Sequence, residues 1–123
     1  MKFFLIFLLI LGNTAFANEN IKRVDFPHLL EKPQLFDGKD IEVVGFATIE
    51  FERNALYVDS DSQKKSTFKN GVWLEIARTP FELKRYNGLK VLVRGVFRES
   101  NKGHMGLWKG GLEKVSKLEL LKE

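Results

Sequence analysis

The sequence predicts a mainly β protein, a small barrel of five strands with one short helix between the third and the fourth. Three observations carry this. Apolar and polar residues alternate over several short segments, the period of a strand with one buried face. Two of those segments repeat a ten-residue pattern at an offset of fifty. Turn residues separate the segments at short intervals.

The chain has 123 residues and no cysteine. Its start differs from the rest: Met1-Lys2, an apolar run from Phe3 to Leu11, then Ala15-Phe16-Ala17. A positive residue, about ten apolar residues and a small-x-small close make up a secretory signal peptide. The run is shorter than the roughly twenty residues a permanent span requires. Cleavage after Ala17 is expected, leaving one domain over residues 18–123, with no membrane span, in the periplasm or secreted. The bacterial lipid anchor is excluded because it needs a cysteine. Without Lys2 the mature chain carries 19 basic and 16 acidic residues, a net charge of +3. No like-charge run reaches the length of a nucleic-acid tail, and Lys64-Lys65 with Lys69 reads as a solvated loop. A disulfide-free domain of this length has to hold together by burial and hydrogen bonding.

Ile21 to Phe26 reads as a short leading strand, and Pro27 opens a brief helix to about Glu31, since proline suits a first helical turn. Asp37-Gly38 is a turn. Ile41 to Glu52 reads as one long strand, with Ile41, Val43, Gly45, Ala47, Ile49 and Phe51 on one parity. Gly45 marks a bend that lets one strand serve both sides of a small barrel. Ala55 to Asp59 is the second strand, Ser60 to Gly71 a polar loop, and Val72 to Arg78 the third strand. Thr79 and Glu82 form a capping box around Pro80, opening a helix that closes at Gly88. Leu89 to Phe97 is the fourth strand. Leu107 to Leu120 supplies the fifth, with a break at Gly110-Gly111.

The repeat aligns Phe36-Asp37-Gly38 through Gly45 with Tyr86-Asn87-Gly88 through Gly95. Two copies are too few for a solenoid. Both strands are therefore expected to enter by the same turn and bend at the same glycine. Five strands with this helix placement follow the order of an OB-fold, a partly open Greek-key barrel. The competing architecture is another small antiparallel barrel or sandwich. The chain also resembles a group of small exported bacterial proteins with OB-like barrels. The resemblance rests on Phe36-Asp37-Gly38-Lys39 with Val43 to Phe46, Asn54 to Tyr57, Trp73-Leu74, Tyr86-Asn87-Gly88 and Gly103-His104-Met105-Gly106-Leu107. It implies export and fold, and brings no activity.

No nucleophile elbow or phosphate loop is present, and only His28 and His104 offer imidazoles. Glu99 and Glu113 are the carboxylates considered as partners for His104. Asp59-Ser60-Asp61-Ser62 begins like a calcium loop, but Gln63 and Lys64 stand where a ligand and a glycine belong. His104-Met105 makes a sparse copper pair at most. The expectation is no cofactor and no metal. OB-folds bind ligands over their second and third strands, between the first and last loops. With Leu56, Val58, Val72, Leu74 and Ile76 facing the core, Tyr57, Trp73 and Glu75 face outward. Tyr57 and Trp73 are expected as cross-strand neighbours, either an exposed platform or core, bordered by Lys102, His104 and Trp108. The loop Arg98 to Gly110 is either a recognition loop or a hairpin folding Leu107 and Trp108 over the barrel end.

The expected function is a non-enzymatic envelope binding module for a glycan, peptide or protein partner. The alternatives are a small enzyme centred on His104 and a nucleic-acid-binding OB domain. Export argues against the latter.

Overall fold

The computed structural model describes residues 21–76 and 81–121. The segment read as a signal peptide lies outside them, as do Thr79 and Pro80. Among the described residues, six strands form one sheet: β1 (Lys22–Val24), β2 (Asp40–Thr48), β3 (Ala55–Tyr57), β4 (Gly71–Leu74), β5 (Lys90–Arg98) and β6 (Gly111–Leu120). The order is β1-β2-β3-β4-β6-β5, and β2 also pairs with β5, closing a five-strand barrel with β1 as an appendage on β2. β4 and β6 run parallel, while the other barrel pairs are antiparallel. The architecture is an OB-fold-like barrel. Among the described residues, no helix is long and apolar enough to cross a membrane.

The predicted parity holds as far as Ile49 and fails at Phe51, which lies beyond the end of β2 and is exposed. Ile41, Val43, Ala47 and Ile49 of the β2 segment meet Leu56, Val72, Leu74, Val91, Val93, Phe97 and Leu112 in the core. The helix α1 (Phe26–Glu31) adds Phe26 and Leu29 to it. It begins one residue before Pro27 because the Asp25 side chain accepts from the His28 N–H, a capping bond. Between β4 and β5, the expected helix is a 3-10 segment, Phe81–Tyr86, whose Leu83 and Tyr86 pack against the core.

The fifty-residue repeat is a structural two-fold. β2 and β5 pair with Val43 opposite Val93, so the repeat's own equivalents face each other. Each turn clasps the far end of the other strand. The Gly38 N–H donates to the Phe97 carbonyl and the Gly88 N–H to that of Ala47, both at 2.7 Å. Asp37 Oδ1 accepts from the Glu99 N–H at 2.9 Å, and Asn87 Oδ1 from the Ile49 N–H at 2.8 Å. Gly38 and Gly88 both have positive φ, 79° and 81°. A Cβ on Gly88 would meet no atom within 4 Å. Gly88→Ala therefore isolates the backbone cost, and a loss of about 1 kcal/mol is expected in urea denaturation. A variant as stable as the wild type would contradict the clasp geometry.

Gly45 and Gly95 are places of close backbone approach. A Cβ on Gly45 would lie 2.6 Å from the Tyr57 carbonyl oxygen, and one on Gly95 2.8 Å from that of Glu113. At Gly45 the outer edge of β2 changes partner from β1 to β3. At Gly95 the β5–β6 register shifts.

Other elements also differ from the sequence reading, and β6 begins at Gly111 rather than Leu107. β2 stops at Thr48, because Asn87 takes the Ile49 N–H and the chain turns at Glu50–Arg53, with the Arg53 N–H on the Glu50 carbonyl. β4 ends at Leu74 rather than Arg78. The polar loop after β3 holds a helix, α2 (Ser60–Lys65). Asp59 caps it by accepting from the Ser62 N–H at 2.8 Å, a bond that also holds the Asp59 carboxyl below its usual pKa. Ser66 closes α2 in the left-handed region. Gln63 donates to Thr48 Oγ1 of β2 at 3.0 Å, and Asn70 to Ser62 Oγ at 3.1 Å, so polar bonds fasten a helix with no apolar side chain.

Candidate functional site

The outward face of β3 and β4 carries a second small core. Ala55, Tyr57 and Trp108 are buried together, with Phe68 and Trp73 packed against them. The Trp108 ring meets Phe68 edge-on at 4.9 Å and Trp73 at 5.0 Å. Its indole N–H donates to the Tyr57 hydroxyl at 3.2 Å. The loop between β5 and β6 thus lays Trp108 across the strands. The predicted outward phase of Tyr57 and Trp73 holds, but their predicted adjacency does not. Ala55 is opposite Trp73 and Gly71 is opposite Tyr57, so the two rings are offset along the ladder. Trp108 fills the space between them.

Burial pushes the Tyr57 phenol above its ordinary value of 10.0. The unfolded chain ionises near that value, while the folded one keeps its proton to higher pH. The stability linked to Tyr57 is complete below the unfolded pKa and is lost as pH rises through this window. Tyr57→Phe is expected to lessen the alkaline drop in unfolding midpoint. An unchanged drop would contradict the linkage.

Beside the covered patch lies an open cleft of about 650 Å³. The β2–β3 loop supplies Phe51, Glu52 and Asn54, and β4 with its extension supplies Trp73, Glu75 and Ile76. Lys84 of the 3-10 segment faces Asn101, Gly103 and His104 of the β5–β6 loop. The cleft therefore occupies the place between first and last barrel loops where OB-folds take ligands. The two clasps fix the starts of these loops, at Ile49 and Glu99.

Two neighbours orient Glu75 in the cleft. One carboxylate oxygen accepts from the Trp73 indole N–H at 3.0 Å and the other from Asn101 Nδ2 at 3.3 Å. Asn101 also donates to Glu113 at 2.9 Å and accepts from the Gly103 N–H at 3.2 Å, tying β4, β6 and the loop together. Gly103 (φ 73°) lets the loop backbone lie on the Trp73 ring, where a Cβ would come within 2.6 Å of Cδ2. Across the cleft, His104 Nε2 is 3.6 Å from Glu52 Oε2. Glu52 and Met105 hold positive φ, 58° and 65°, so both loops carry left-handed residues at this contact.

Of the residues expected from sequence, Trp73, Glu75 and His104 line the cleft. Tyr57 and Trp108 are buried at 1% and 3% exposure and support it from behind. Lys102 is exposed and its carbonyl accepts from the Trp108 N–H at 3.1 Å, fixing the loop. The carboxylate beside His104 is Glu52, in place of the considered Glu99 or Glu113. Sequence reasoning missed Phe51, Glu52, Asn54, Ile76, Lys84, Asn101 and Gly103. The spacing of Asn101 and Gly103, a side-chain cap two residues before a glycine, was the available signal.

Among the described residues, no group of three or more His, Cys, Asp or Glu is placed to hold a metal. No family model matches the chain, and no curated protein matches it.

Proposed function

We propose that the chain is an exported, non-enzymatic binding module of the bacterial cell envelope, taking its ligand in the cleft between the β2–β3 and β5–β6 loops. The observation that carries this reading is the pre-set Glu75 carboxylate beside Trp73, with both oxygens already oriented by neighbours and free lone pairs remaining. Preorganised polar groups beside an aromatic ring suit recognition, because little ordering is left to be done on binding. Binding is favoured over the His104-centred enzyme because, among the described residues, the cleft lining holds no serine, threonine or cysteine beside the imidazole. Nucleic acid is disfavoured because Glu52 and Glu75 repel phosphates where single-strand binders place a positive groove. Export rests on the leader-like sequence up to Ala17.

The test is capture from a soluble envelope extract by immobilised wild type, Trp73→Phe and Glu75→Gln. A component retained by the wild type and lost from both variants is expected. Identical retained sets would refute the reading, provided the variants melt like the wild type.

A further inference from the structure

We infer that the cleft takes a neutral carbohydrate chain, an inference that rests on the binding reading above. Four features of the cleft converge on this class. First, its described lining is of mixed sign: Glu52 and Glu75 stand against Lys84, with His104 3.6 Å from Glu52. A polyanion meets the carboxylates and a polycation meets Lys84, so neither gains from the site as a whole. Second, both hydrogen-bonding senses are present. Glu75 keeps about two of its roughly four lone-pair sites for hydroxyl donors, and the Lys84 ammonium offers three N–H donors to hydroxyl oxygens. A sugar hydroxyl both donates and accepts, and so answers both groups.

Third, two aromatic rings, Trp73 and Phe51, are among the described residues that line the trough. Trp73 is half-buried and held by Gly103, while Phe51 projects from its loop at 86% exposure. Such rings offer flat apolar surface to the C–H face of a pyranose while its hydroxyls reach the charged groups. Fourth, the walls give an extended peptide nothing to pair with. β4 is hydrogen-bonded on both sides, to β3 and to β6, so strand addition at the cleft has no free edge. Phe51, Glu52, Glu75, Lys84 and His104 are all exposed. An open trough of this kind fits a chain that passes through it and stays partly solvated, with no ionised group driven into a dry interior.

The chain has two tryptophans, so the two indole N–H resonances of the purified, nitrogen-15-labelled protein are assigned by the one missing in Trp73→Phe. The Trp73 resonance reports the Glu75 bond directly. It is followed during titration with chitohexaose, cellohexaose, hexalysine and a thymidine decanucleotide, and with the envelope extract. The expected result is a saturable shift with at least one of the two oligosaccharides and none with hexalysine or the oligonucleotide. Glu75→Gln should weaken the oligosaccharide about tenfold, the loss of one hydrogen bond to a charged group. Silence toward both oligosaccharides overturns the carbohydrate assignment, as does oligosaccharide affinity unchanged in Glu75→Gln. In either case, a Trp73 shift with hexalysine, the oligonucleotide or the extract leaves the cleft standing as a binding site for another class. Silence toward every probe and the extract removes both readings.

Discussion

Trp108→Ala is expected to cost about 3–5 kcal/mol in urea denaturation, as large as a deletion in the barrel core. Trp108 lies in a loop, yet it is 3% exposed and is the centre of the outer cluster. Its removal takes the ring from between Phe68 and Trp73 and leaves the buried Tyr57 hydroxyl without its indole donor. The lost transfer energy, the cavity and the lost hydrogen bond add in one direction. The damage should spread to the cleft, since the Trp108 ring packs on Trp73, which lines it. A loss below about 1 kcal/mol would mean that Trp108 does not cover the sheet in solution.

Gly103→Ala should be the most damaging single-atom addition at the cleft. Two costs coincide. The residue has φ 73°, worth about 1 kcal/mol against alanine. Its Cβ would also fall 2.6 Å from Trp73 Cδ2 and Cε3, and overpacking of that kind costs typically about 1–3 kcal/mol. The Trp73 ring has little room to yield, with Trp108 at 5.0 Å and Glu75 on its N–H. The β5–β6 loop is expected to lift from β4, changing Trp73 fluorescence and abolishing retention of any ligand. Gly106→Ala is the control, since Gly106 also has positive φ but a Cβ there meets no atom within 4 Å. Equal effects of the two substitutions would show that contact with Trp73 contributes nothing.

The legible parts of this fold were those set by period and by repetition. Parity placed Ile41, Val43, Ala47, Leu56, Val72 and Leu74 inside because a barrel strand with one apolar face has a single way to bury it. The repeat exposed the paired turns because each turn performs the same task for the opposite strand. α2 was illegible: its attachments are Gln63 to Thr48 and Asn70 to Ser62, and polar fastening leaves no apolar stripe to read. Its cap, Asp59 before Ser62, falls inside the stretch that reads as a broken calcium loop. The outer cluster escaped for a related reason, since Phe68 and Trp108 lie outside strands and obey no period. The cleft was half legible. Strand phase turned Trp73 and Glu75 outward, but Phe51, Lys84 and Asn101 reach it from three separate connections whose meeting depends on closure of the barrel.

Photo-crosslinking in living cells decides whether a ligand occupies the cleft between the two loops. A benzophenone amino acid is placed at Phe51, on the cleft rim, and in a second strain at Leu35, which is 48% exposed and outside the cleft lining. Benzophenone inserts into C–H bonds of glycans and proteins alike, so the test presumes no ligand class. A discrete adduct of increased mass is expected from position 51, reduced by Glu75→Gln and absent from position 35. No adduct at position 51, or the same adduct from both positions, would contradict it.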